Sequence, residues 1–287
     1  VFPQVPLLVQ PKFHLPGDPA PVGRTQHQGV GVQQVGLPGV ALALFVRFTV
    51  REPPRGAAEG IEVKQEAPPV MVVFKHLWGL KSFRYMSVAG SFHAFVGYGV
   101  ALWIPAMFNR SHGLSTGEMG TALFYLGFAS ILGTLAGGWL GDRYGARDAR
   151  WYMWIPGLAT LGALPFSLFA YVWNEPTVAL WGLVIPYLLG AYWLAPTFSM
   201  TQGLVGLRMR ALASGILLFV INIFGMGVGP QFTGILSDIF QATTDFGVDS
   251  LRWALVVSLV FNLFAAVLYW YAARTLREDL AAAKNLG

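Results

Sequence analysis

The sequence predicts an all-α fold, a polytopic bundle of membrane helices, from its composition, its charge spacing and the alternation of its loops. Hydrophobic residues make up 55% of the 287 and charged residues only 11%, whereas a globular chain carries about 25% charged. The charges are segregated. Uncharged runs extend over Tyr85–Asn109, Met119–Gly141, Trp151–Asn174, Pro176–Leu207, Ala211–Ser237 and Trp253–Ala273. Crossing roughly 30 Å of hydrocarbon takes about 20 apolar residues as helix, and all six runs are long enough. Basic residues then alternate by loop. Arg47, Arg51, Arg55, Lys64, Lys75, Lys81 and Arg84 precede the first run. Arg143, Arg147 and Arg150 follow the second, Arg208 and Arg210 the fourth, and Arg274, Arg277 and Lys284 the last. Loops of the other parity hold only Arg110 and Arg252. Because Lys and Arg concentrate in cytoplasmic loops, the segment before the first run and the C-terminus are both expected to be cytoplasmic. The formal net charge of +5 is thereby a topology signal and gives no ground for nucleic-acid binding.

Taken in order, residues 1–35 differ in composition from the rest. They are rich in Pro, Gln, Gly and Val, and the first methionine is Met71. They are expected to be a non-core segment, disordered or translated out of frame. Gly36–Val46 has the character of a membrane-helix end stopped by Arg47, so residues 36–50 are read as the remnant of a span. Residues 51–84 read as a cytoplasmic linker, charged and Pro-containing as flexible linkers are. Residues 85–274 form the six-helix membrane domain, and 275–287 a cytoplasmic tail.

A repeat runs through the six spans. Gly138-Trp-Leu-Gly-Asp142 closes the second run and Gly234-Ile-Leu-Ser-Asp238 the fifth, and at the same offset Gly133 matches Gly229. Arg-Trp opens the next span each time, at Arg150 and at Arg252. Loop parity puts Asp142 and Asp238 on opposite sides, which predicts two inverted three-helix units, as many secondary transporters contain.

Several chemistries are excluded. Without cysteine there are no disulfides or thiolate metal sites. The five histidines at 14, 27, 76, 93 and 112 have no metal-binding spacing, and no phosphate-binding loop for ATP is present. No paired acid–base constellation suggests an enzyme, and no metal or cofactor is expected. Gly113-Leu-Ser115-Thr-Gly117 fits the G-x-S-x-G hydrolase pattern, but that elbow requires a preceding strand. Ser115-x-x-Glu118 reads better as a capping box that opens the second span.

The loop Gly138-Trp-Leu-Gly-Asp142-Arg143-Tyr-Gly145-Ala-Arg147 resembles the G-x-x-x-D-R-x-G-R/K-R/K signature of the major facilitator superfamily. Ala146 stands where the first of two basic residues is usual. Trp103-Ile-Pro105, Asn109-Arg110-Ser-His112, Asp148-Ala-Arg150-Trp-Tyr and Arg208-Met-Arg210-Ala, with Arg51-Glu-Pro-Pro-Arg55, resemble the spinster-like branch of that superfamily. The resemblance implies that 36–50 is the end of helix 6 and that the six runs are helices 7–12. It implies an alternating-access secondary transporter of a small organic, amphiphilic or lipid-like solute in the inner membrane, seen here as a C-terminal fragment. An N-terminal half and a coupling proton would be its partners. The alternative is a membrane fragment or scaffold that transports nothing.

Candidate residues follow from both lines. Glycines 137, 138 and 141 would let helix ends approach closely, Gly145 would permit a tight turn, and Asp142 would pair Arg143 or Arg147 in a state-dependent switch. Polar groups inside spans are candidate functional sites. His93, Tyr98, Tyr125, Tyr192, Trp193, Thr197 and Asn222 are therefore the expected lining of a substrate cavity. The resemblance implies that helices 7, 8, 10 and 11 surround it. Gly229 and Pro230 are candidate hinge residues, since a proline inside a helix kinks it.

Overall fold

The computed structural model describes residues 28–50 and 68–284, and the readings of residues 1–27, 51–67 and 285–287 lie outside them. Helix α1, Gln28–Thr49, belongs to a unit of its own and is described by itself. It starts inside the segment read as non-core. The helix runs on through Pro38 into the apolar stretch that follows.

In the second unit, α2 (Val70–Gly79) occupies part of the segment read as a flexible linker. Its sequence is amphipathic: Val73 and Leu77, one turn apart, are fully buried. Six stretches long and apolar enough to span a membrane follow. They are α3 (Lys81–His112), α4 (Thr116–Gly145), α5 (Trp151–Val172), the broken span α6–α7–α8 (Pro176–Gly182, Val184–Leu189, Leu194–Gly203), α9 (Arg210–Thr243), and α10–α11 (Ser250–Ser258, Val260–Lys284). The helices overrun the predicted limits. Lys81 and Arg84 sit exposed on the first turn of α3, and α11 continues through the expected tail because Leu276 is buried. Ser115 and Glu118 form the predicted capping box at the start of α4, with Ser115 Oγ 3.3 Å from the Glu118 N–H and Glu118 Oε2 2.8 Å from the Ser115 N–H. Gly113, at φ 71°, ends α3 in the left-handed conformation that glycine adopts without strain.

The packing exchanges the two repeats. Gly133, on the second span of the first unit, lies so close to Leu188 on the first span of the second that a Cβ would strike the Leu188 carbonyl. Gly229, its counterpart on α9, meets the Phe95 carbonyl of α3 in the same way. A Cβ on Gly137 would lie 2.6 Å from the Tyr192 Cα, and one on Gly225 2.7 Å from the Ala94 Cβ. Glycines of this kind let membrane helices approach backbone to backbone. The third spans, α5 and α11, pack on each other. Two apolar clusters fill the interior, one around Leu77, Phe83, Leu204 and Tyr269, the other around Ile104, Phe108, Met119, Leu183 and Leu255.

Candidate functional site

The predicted cavity residues separate into an open face and an interior. On the face, Tyr98 of α3 donates to Asn222 Oδ1 of α9 at 2.9 Å, and Asn222 Nδ2 donates to the Leu218 carbonyl. Tyr98 is exposed and Asn222 half-buried. Tyr125 of α4 is exposed beside Phe124 and Phe128, with Phe124 in edge contact to both. Tyr192 is half-buried where the span IV backbone meets Gly137.

His93 and Thr197, both expected to line the cavity, are buried inside the bundle, and His93 borders an interior pocket there. His93 Nε2 lies 2.8 Å from the Gly190 carbonyl and Nδ1 lies 3.1 Å from Thr160 Oγ1. A carbonyl can only accept, so Nε2 carries a hydrogen and the Thr160 hydroxyl is free to donate to Nδ1. Trp193 packs on the imidazole with ring centres 5.3 Å apart. Thr197 Oγ1 is 3.4 Å from the buried Tyr269 hydroxyl. The reason is positional: helical spacing shows which residues share a stripe, and a central span such as α3 carries two inward stripes.

The signature loop also departs from expectation in detail. Asp142 Oδ1 accepts from the Tyr152 hydroxyl at 3.2 Å, taking neither Arg143 nor Arg147 as partner. The Arg143 guanidinium lies over the Trp139 ring at 5.8 Å. Gly145 has no positive φ and remains helical; what requires glycine there is the Tyr152 ring, which a Cβ would strike. A Cβ on Gly138 would lie 3.5 Å from the Ala195 Cβ, an ordinary contact that does not require glycine. At Gly229–Pro230, α9 continues without interruption, and the Pro230 carbonyl accepts from Trp103 Nε1 at 2.8 Å.

Two polar clusters were not singled out from the sequence. At the end of the bundle that carries Asp142, Arg277 of α11 donates from Nε to Asp148 Oδ1 at 2.8 Å, and the Arg150 N–H donates to the same oxygen at 3.0 Å. The Arg277 guanidinium, then the Arg150 N–H, hold the Asp148 carboxyl below its ordinary range. Nearby, Asp279 accepts from the Ser82 N–H at 2.8 Å, capping the start of α3. At the opposite end, buried Arg252 donates to Asn174 Oδ1 at 3.1 Å and to His112 Nε2 at 3.3 Å. Its Nε lies 3.4 Å from Asp249, an ion pair by distance without hydrogen-bond alignment. Glu175 caps α6 there, and the Val178 and Thr177 N–H groups hold its carboxyl below the ordinary range. In the sequence Arg252 stands out only as a repeat and loop charge, and Arg150 as that and as part of the Asp148-Ala-Arg150 stretch.

Two exchanged three-helix units, a broken fourth span and exposed polar groups within the spans define a six-span membrane helix bundle. The Major Facilitator Superfamily profile matches residues 34–230, and the chain belongs to that family, one of transporters rather than enzymes. It is 35% identical over 201 residues to an "MFS-type efflux pump" of Mycolicibacterium smegmatis, a match covering 69% of this chain and 46% of the relative. The fold resembles a bacterial homolog of the human lysosomal transporter spinster in its inward-facing, unoccupied conformation. That match has TM-score 0.69 and 27% identity, over 86% of this chain and 59% of that one. The occupied conformation of that protein matches with TM-score 0.65 over 86% and 57%. The chain therefore spans about half the length of the relatives it matches.

Proposed function

We propose that this chain is the C-terminal half of a secondary transporter that moves a small organic, amphiphilic solute by alternating access. The half rocks against a partner half of six helices in the inner membrane, with the basic loops and the C-terminus cytoplasmic. The Tyr98–Asn222 pair carries the reading. A hydroxyl bonded to a carboxamide on an exposed face within the spans is costly against lipid and natural against a water-filled cavity. Exposed Tyr125 and its neighbours Phe124 and Phe128 supply amphiphilic surface on α4, which suits an amphiphilic solute. The efflux-pump relative supports export, the spinster-like structures support a transporter fold, and charge parity supports the orientation. The Asp142–Tyr152 contact and the Gly145–Tyr152 packing would serve as the switch, made in one transport state and broken in the other, with Gly229–Pro230 as a hinge of α9.

The test is flux. Residues 36–287 reconstituted with a matching N-terminal half should move substrate across liposomes, and the lone chain should insert without transporting. Flux from the monomeric lone chain would refute the half-transporter reading. Absence of flux from every pairing would favour the non-transporting scaffold.

A further inference from the structure

A cavity of about 200 Å³ lies inside the six-span unit, near the mid-depth of its spans. His93 and Gly97 of α3, Ser130 of α4, Ser167 and Tyr171 of α5, and Asn262 of α11 line it, together with residues around Leu183, Gly190 and Leu259. Those last three are the places where two spans break. Leu183 separates α6 from α7, Gly190 ends α7, and Leu259 separates α10 from α11. Broken helices at the midplane are where transporters place polar backbone against a ligand.

Polar groups without protein partners accumulate there. Asn262 is 92% buried, and its Oδ1 has no hydrogen-bond partner. A buried amide left unpaired costs free energy that a bound group can recover. The side chains of Ser167 and Tyr171, both buried, likewise make no hydrogen bond within the protein, while His93 and Ser130 are engaged with backbone carbonyls. None of the lining residues is Asp, Glu, Lys or Arg. Gly97 and Ala101 are exposed, so the cavity opens beside Tyr98 onto the face proposed above.

We propose that this cavity is a side pocket that binds a small, uncharged, hydroxyl-bearing group, with Asn262 Oδ1 accepting from a ligand hydroxyl and Ser167 and Tyr171 completing the contact. The lining carries no charge to neutralise an ionic ligand, and the volume admits a molecule of a few heavy atoms. The inference rests on the transport reading only for the origin of the solute, and its test needs no flux, so the two can fail separately.

The chain contains no cysteine, so a single introduced thiol reports without background. In the purified full chain, Ala163→Cys, at a lining position without a proposed ligand contact, should react with neutral methyl methanethiosulfonate and resist the sulfonated reagent of the same chemistry. Glycerol or erythritol at about ten times its dissociation constant should slow that reaction by about tenfold through occupancy. Glycerol 2-phosphate should not. Asn262→Leu, close in size but lacking the acceptor, should keep the labelling and lose the polyol protection. Ser130→Cys, at a half-buried lining position, checks that the reagent arrives if the Ala163 variant fails to fold, and should show the same protection. No labelling at either position would mean a sealed cavity and overturn the proposal. Labelling without polyol protection, or protection that survives Asn262→Leu, would mean a site for water alone or none, and would overturn it too.

Discussion

Gly133→Ala and Gly229→Ala should destabilise the bundle by similar amounts, although the two residues lie in different repeats. At either position the added methyl meets a backbone carbonyl of another span, Leu188 or Phe95. A backbone cannot rotate aside as a side chain can, so the spans themselves must separate. Carbon atoms pack best at about 3.5–4.0 Å, and a gap of ~1 Å forfeits up to about half of the attraction between the atoms lining it. Overpacking of this kind costs about 1–3 kcal/mol. Against it stands the helix preference for alanine over glycine, about 1 kcal/mol. The contact outweighs it because the backbone it meets cannot move aside, and a net loss of up to about 2 kcal/mol is expected. Gly120→Ala and Gly127→Ala, with nothing within 4 Å of the new methyl, should be neutral or slightly stabilising. Reversible denaturation of the purified chain in mixed micelles would measure all four. Equal stability across the set would refute the exchanged-repeat packing, and loss at only one of the contact positions would refute its symmetry.

Three further outcomes follow from the site. The folded Asp148 carboxyl is held below its ordinary 3.8. Its contribution is therefore complete above that value and lost as pH falls through the lower folded value. Thermal unfolding followed from about pH 6 down to about pH 3 should show this acid-side decline, and Asp148→Asn should remove its share of the slope. His93→Leu should cost about 1–3 kcal/mol by stranding the Gly190 carbonyl and Thr160, measured by the same denaturation, and should leave the pH profile of solute binding unchanged. Asp142→Asn in the paired halves should lower maximal flux roughly fivefold to tenfold, the effect of about 1 kcal/mol in a charge-assisted contact, with solute affinity preserved. An unchanged maximal rate would reduce the loop to a topological anchor.

What the sequence made legible is local. Span identity depends on about twenty successive residues, and all six predicted runs became helices or broken helices of that length. The capping box is a four-residue signal and appeared as read. The matched pair Gly133 and Gly229 was also visible, because a repeat leaves its register in the chain. Orientation within the bundle was less accessible. His93 and Tyr98 differ by little more than one turn of α3, yet one bonds inward to Thr160 and the other outward to Asn222. The partners of Arg252 lie in three different segments, and only folding brings them together. The cavity was illegible for the same reason, since breaks in two distant spans and three unrelated helices enclose it.

The two polar clusters bear on how the half can move. Arg277 ties the end of α11 to the Asp148 turn before α5, and Arg252 ties the start of α10 to Asn174 at the end of α5. The third spans of the two repeats are thus fastened to each other at both ends by directional, charge-assisted bonds. The second spans, α4 and α9, meet their partners through close glycine contacts and neutral hydrogen bonds, Ser130 to the Tyr187 carbonyl, Tyr98 to Asn222 and Trp103 to the Pro230 carbonyl, which are weaker ties than the charge-assisted ones. The interior pocket borders both kinds of element, with Ser167 and Asn262 on the fastened pair and Ser130 on α4. A solute held there would touch the fixed frame and a movable span together, and that is how binding energy could bias one arrangement of the half over another.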